Sequence, residues 1–488
     1  MIAATLLTLA IVTQDLASLR AAPQGTAAQQ AALWQGDTLE IRGQRLDYLQ
    51  VYDHRRERAG FIHISQVRQV SVKPQDAPEL LSVVRFLKDS AGAEALGISY
   101  VAAYLKAAPA EAIDAEVFDA LGTLAERLAR RASLKHPKST GDIISAHMEV
   151  ASFYGVGFKS YEPSDAPGGA VQLCYNGEAF RRVLAMPANA EQHAKAALAI
   201  TRHDCQSTNL HPKDRLSLDQ WRADVLDKVT ASEFALLPDI SKNRLRLRRA
   251  GVASSLAFQL ARRTDPPAAV ARQAERAISE LAAIQKTELN DEDQQDYNDA
   301  AIRVGASRWG AQGLPAKLQK LTLTTQMGQA GETCLLLFEN QADGQPKGEA
   351  AAKRCTYGVV WAASASAHPN GEALSIAVQP LDTWRELWVF RNTAHQWTVD
   401  VLPPASSSSP EMGYIEFAGW GPATPATASP PQMLLTREAR TAGRNKRSFE
   451  VVRLDTLSTD KQASEPGLLA AFGKWQDPAW KRQTVSVR

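Results

Sequence analysis

The chain has 488 residues, 44% of them hydrophobic and 22% charged, with a formal net charge of +2. That length exceeds one core and implies about three domains at roughly 100–200 residues each. The composition excludes a disordered chain and a polytopic membrane protein, and the balanced charge excludes attraction to nucleic acid or a bilayer by bulk electrostatics.

The first ten residues, MIAATLLTLA, are mostly apolar, carry no Lys or Arg, and end Thr8-Leu9-Ala10, with the small −3 and −1 residues that signal peptidase favours. Residues 1–10 therefore read as an export-signal remnant; the alternative is that Ile2 to Val12 is an apolar first strand. The run is too short to span a bilayer as a helix, which needs about 20 residues. The four cysteines point to the same compartment. Pairing Cys174 with Cys205 and Cys334 with Cys355 keeps both bonds inside single segments, each loop closure contributing about 3 kcal/mol. Four buried thiols are the other reading. Disulfides place the chain in the periplasm or an otherwise exported location.

Residues 11–72 read as short β-strands. Thr38-Leu39-Glu40-Ile41-Arg42, Tyr48-Leu49-Gln50-Val51-Tyr52 and Gly60-Phe61-Ile62-His63-Ile64 alternate with period two, and Gly43, Asp47, Asp53 and Gly60 punctuate them. A small barrel buries one face of so many short strands without leaving edges. The succession Leu19-Arg20-Ala21-Ala22-Pro23, Gly36 to Ile41, Tyr48 to Val51 and Gly60 to Val67 resembles the bacterial SH3-like (SH3b) domain in order and spacing, with the aromatics substituted. That resemblance implies a module anchoring its protein to cell-wall peptides or other envelope partners, with no catalytic residues of its own. The binding positions expected on it are Tyr48, Tyr52 and Phe61, with His54, Arg55, Arg56 and Arg58 from the basic tip Asp53 to Arg58. Arginine meets a carboxylate, such as that of a peptidoglycan stem, through two parallel hydrogen bonds. A solvated loop is the plainer reading of this tip.

After the linker Lys73 to Pro78 the period changes to 3.6. Ile113, Val117, Leu121, Leu124 and Leu128 recur at helical spacing, as do Trp221, Val225 and Val229, and Val270, Ala274, Ala277, Leu281 and Ile284. Ser217 with Gln220 and Thr230 with Glu233 have the spacing of capping boxes that open helices. Residues 78–312 thus read as an all-α bundle or solenoid, loosely similar to the tetratricopeptide class but without a repeated 34-residue motif. Gly155 to Gly177 interrupts the helices as a long Gly/Pro loop, either a binding loop or a structural connection. Seven Lys/Arg lie between Ser241 and Arg263 and six acids between Thr287 and Asp299. These runs imply mutual attraction between helices, or solvation; an anion-binding groove is the sharper alternative.

Residues 316–488 read as antiparallel β, an incomplete propeller-like sheet or a sandwich, with Ala373 to Leu402 and Tyr414 to Leu457 as a faint repeat and Pro466 to Trp480 as a closing helix. Trp384, Trp388, Trp397 and Trp420 either fill its core or form a stacking surface. His203, Cys205 and His211 match no zinc spacing, Ser364, Ser366 and His368 form no triad without geometry, and phosphate-loop, dinucleotide, HExxH and nucleophile-elbow motifs are missing. No catalytic residue, metal or cofactor is therefore expected. The expected role is that of a non-catalytic exported envelope binding or scaffold protein that engages peptidoglycan or an envelope protein, not nucleic acid, and carries no integral membrane segment. A peptidoglycan or peptide hydrolase with an unrecognised site and a periplasmic ligand sensor are the alternatives.

Overall fold

The computed structural model describes residues 8–161, 171–207, 209–313, 318–393, 395–406, 411–422, 431–478 and 480–481. The chain divides into two compact units, Met1–Leu210 with Val225–Leu237, and His211–Asp224 with Pro238–Arg488. The linker at 73–78 falls inside the first, and the composition change at 313–315 inside the second.

In the first unit β1 (Thr8–Val12), β2 (Ala17–Arg20), β3 (Gln29–Leu33), β4 (Thr38–Arg45), β5 (Tyr48–Asp53), β6 (Arg58–His63) and β7 (Val67–Ser71) form one antiparallel sheet ordered β3-β2-β6-β5-β4-β1-β7. β3 and β7 are its edges, so hydrogen bonding does not close it into a ring. Strand β5 alternates as its sequence implies, with Leu49 and Val51 buried and Tyr48, Gln50 and Tyr52 half-buried on the opposite face. β1 does not alternate, because it is covered on both faces. Ala10 and Val12 join the interior of the sheet with Leu19, Leu39 and Val51, while Leu9 and Ile11 join the core of the following helices. A strand buried on both sides reads as a continuous apolar run. Leu9 and Ala10 pair with both β4 and β7, so cleavage after Ala10 would remove most of a structural strand. Met1 to Leu7, the rest of the expected signal remnant, lie outside the described residues.

Helices α1 (Ala77–Lys88), α2 (Glu94–Ala107), α3 (Ala115–Ser133) and α4 (Lys138–Phe153) pack behind this sheet, followed by strands β8 (Phe158–Tyr161) and β9 (Gln172–Tyr175) and helices α5 (Glu178–Val183) and α6 (Ala190–Ile200). Two polar contacts dock α4 on the sheet. His147 Nε2 lies 2.7 Å from Asp15 Oδ1, and the Tyr154 hydroxyl donates to the Gly36 carbonyl at 2.9 Å. Gly36 has φ +91°, and a side chain there would stand 2.5 Å from the Ala95 carbonyl oxygen of α2, so the turn requires glycine. The Gly155 to Gly177 stretch is not simply a loop: β8 and β9 pair as a two-stranded ribbon, tied to α3 through Ser133 and by the Cys174–Cys205 disulfide to the residues after α6. Its tip, 162–170, lies outside the described residues.

The helix α7 (Pro212–Asp227) begins in the second unit and ends in the first, which also holds α8 (Ala231–Leu236). Thr230 and Glu233 form the expected capping box at α8. Ser217 does not open a helix; it lies inside α7 and donates to the Lys213 carbonyl, because α7 starts five residues earlier at Pro212. The second unit continues with α9 (Asp239–Arg262), α10 (Pro267–Ala282) and α11 (Asp291–Ser307). The opposite charges on α9 and α11 face one another: Arg244 reaches Asp293 at 2.7 Å. Mutual attraction between helices therefore accounts for part of these runs.

The β portion comprises a three-stranded antiparallel sheet, β10 (Leu321–Met327), β11 (Thr333–Glu339) and β12 (Ala352–Thr356), and an eight-stranded sheet. The latter consists of two antiparallel meanders, β13 (Val359–Ala367), β14 (Ala373–Leu381), β15 (Trp384–Thr393) and β16 (Gln396–Leu402), then β17 (Met412–Trp420), β18 (Gln432–Thr441), β19 (Arg444–Arg453) and β20 (Thr459–Ala463). They join where the start of β15 pairs in parallel with the start of β17, Trp384 opposite Gly413. The repeat seen in the sequence corresponds to these two meanders. The loop residues 407–410 and 423–430 lie outside the described residues. Helix α12 (Ala470–Trp475) covers β17 and β18 with Phe472 buried. The chain thus combines an N-terminal antiparallel sheet, a mainly helical middle and C-terminal antiparallel sheets.

Candidate functional site

The expected binding residues lie on and beside the outward face of β4, β5 and β6. Period-two geometry sends Leu39, Leu49, Val51 and Ile62 inward, so the residues between them face out. Register sets Tyr48 opposite His63, Gln50 opposite Phe61, and Glu40 opposite Tyr52. Arg20 of β2 is opposite Phe61 on its other side. The result is a half-buried strip of Tyr48, Tyr52, Phe61 and His63 carried on rigid strands.

Charged groups surround it. The Arg42 guanidinium stands 4.1 Å from the centre of the Tyr52 ring, a cation–π contact. His54 meets the same ring edge-on at 4.9 Å and lies 2.7 Å from Glu40. The hydrogen bonds from His54 and Arg42 hold the Glu40 carboxyl below its ordinary pKa. Tyr48 packs edge-on against His63, and Arg58 donates to the Gln30 carbonyl of β3 at 2.5 Å.

Arg55 and Arg56 belong to a different arrangement. Arg56 contacts Asp53 at 2.8 Å and Asp37 at 3.1 Å, and Arg55 contacts Asp37 at 3.2 Å. Asp37 and Asp53 are 4% and 1% exposed. Asp37 also accepts from the Trp34 amide, and Asp53 from the Arg55 and Arg56 amides. Burial opposes the Arg56 charge, but the two carboxylates outweigh it and raise its pKa. These two arginines neutralise buried acids that hold two turns together. The sequence concealed this because Asp37, far upstream of Arg55 and Arg56, carries no local sign of being their partner. Conversely, Arg42 and His63 were missed as members of the strip, although their outward parity on β4 and β6 was readable.

Both cysteine pairs are disulfide-bonded as expected, and Cys334 and Cys355 sit directly opposite one another on β11 and β12. Among the described residues one set of three metal-ligand types clusters, Glu332 with these cysteines; the sulfurs are bonded to each other and offer no thiolate. Ser364 donates to the Trp361 carbonyl and Ser366 accepts from Trp420 Nε1. His368 is buried, and burial lowers its pKa; these residues make strand and turn contacts with no shared nucleophile–base pair. Trp384 and Trp388 are buried and Trp397 and Trp420 are packed against cores, so the tryptophans fill the β structure. Among the described residues no helix is long and apolar enough to cross a membrane. Comparison with protein-family models, curated proteins and solved structures returned no match.

Proposed function

We propose that the chain is an exported, non-catalytic cell-envelope binding protein whose N-terminal sheet is an SH3-like module that engages peptidoglycan or an envelope protein. One observation carries the reading: three aromatic side chains, Tyr48, Tyr52 and Phe61, stand half-buried on two register-paired strands, with Arg42 and His54 against the Tyr52 ring. Aromatic faces stack on apolar sugar faces or on peptide side chains, and guanidinium groups meet carboxylates. Peptidoglycan presents sugar and carboxylate together, which fits this mixture better than nucleic acid or a bare apolar partner. Export is supported by the two disulfides, which persist in oxidising compartments.

Co-sedimentation of the full chain with purified sacculi tests the proposal. Tyr52→Ser with Phe61→Ser changes only outward positions, and is expected to reduce retention at least about tenfold, the loss of roughly 1.4 kcal/mol. Equal retention of both proteins, or none of either, would remove the wall-binding reading.

A further inference from the structure

An open cleft of about 800 Å³ lies in the first unit between the end of α1, the start of α3 and the start of α6. It is remote in sequence from the aromatic strip and built of different chemistry. Its charges are arranged in two layers. Asp119 of α3 is 6% exposed, and Lys195 reaches it at 2.9 Å and Lys88 at 3.9 Å. Two ammonium groups thus share one carboxylate, leaving a surplus positive charge in this layer.

The other layer is negative. Of the other acids lining the cleft, Glu116 is taken by Arg85 in a bidentate pair at 2.6 and 2.7 Å. Asp114 and Glu191, the first residues around the two helix starts, are exposed carboxylates, and Asp114 caps α3 by accepting from the Glu116 amide. A simple anion would find the surplus cation but also these acids; a simple cation would meet the reverse. A ligand carrying both charges satisfies each layer.

We infer that this cleft binds a short zwitterionic peptide, its carboxylate directed to Lys88 and Lys195 and its ammonium to Asp114 and Glu191. The volume is of the size that takes small ligands and exceeds that of a single amino acid. The inference stands whether or not the aromatic strip binds the cell wall.

Isothermal titration of the full chain with trialanine, N-acetyl-trialanine and trialanine amide provides the test. Trialanine is expected to bind saturably with Kd of about 1 mM or tighter, and blocking either terminus to weaken it at least about tenfold. Asp114→Asn with Glu191→Gln keeps a competent N-cap on α3 and is expected to abolish the preference for a free amino terminus while retaining the preference for a free carboxylate. Lys88→Gln is expected to do the opposite. Absence of saturable trialanine binding, or capped peptides binding as well as the free one, would overturn the inference.

Discussion

Replacing Arg56 with alanine separates a structural role for the basic tip from a ligand-binding one. The substitution removes the contacts to Asp53 and Asp37 and leaves both carboxylates in a region where they are almost wholly shielded from water. Breaking a buried ion pair from one side costs about 3–5 kcal/mol, because the remaining charge is uncompensated. Two features reduce that figure here. Arg55 still faces Asp37, and Asp53 retains its two backbone donors, so about 2–3 kcal/mol is expected. For a body of this size each kcal/mol moves the melting temperature by about 2–4 °C, giving a fall of roughly 5–10 °C in the transition of the first unit. Scanning calorimetry on the full chain measures it, with Arg58→Ala from the same tip expected to shift by less than the equivalent of about 0.5 kcal/mol. Unchanged melting of Arg56→Ala combined with lost retention on sacculi would refute the reasoning and return Arg56 to the binding surface.

Glu94 is fully buried and receives Arg127 and Arg131. Burial alone would raise its pKa, but the Gly92 amide and the two arginines outweigh this and lower it. A lowered carboxyl pKa contributes stability above the unfolded value of about 4.3 and loses it as pH falls through the folded value. Glu94→Gln is therefore expected to cost about 3–5 kcal/mol at pH 7, with the gap to wild type narrowing below about pH 4, as read by urea unfolding at several pH values; a pH-independent gap would contradict the assignment. Gly36→Ala is expected to prevent stable folding of the first unit, since its neighbour is backbone that cannot rotate away; native-like circular dichroism and melting would contradict this. Non-reducing peptide mapping should recover the Cys174–Cys205 and Cys334–Cys355 links, and removal of either bond should cost about 3–4 kcal/mol by loop-closure entropy. Any other connectivity would count against the fold.

Alternation made β4, β5 and β6 legible because each has one wet and one dry face. Alternation gives no guide to β1, where Leu9 to Val12 are buried on both sides and the strand reads as a continuous apolar run. Helical spacing revealed α3 and α10 through their apolar stripes, but Trp221, 36% exposed, does not face a core as the spacing implied. The boundary of α7 was missed because a polar helix start at Pro212 leaves no apolar stripe, and the ribbon β8–β9 was hidden by the Gly/Pro residues between its strands. Pairings across long separations were the least legible. Asp37 with Arg55 and Arg56, and Asp119 with Lys88 and Lys195, unite residues whose proximity only folding creates.

The central claim, that the outward face of β5 and β6 contacts the envelope partner, is tested most directly by hydroxyl-radical footprinting of the full chain with and without sacculi. Oxidation of Tyr48, Tyr52 and Phe61 is expected to fall at least about threefold on binding, the equivalent of covering these half-buried rings, while exposed Phe86 on α1 keeps its reactivity. Unchanged oxidation of the three rings in sedimented protein would contradict the claim.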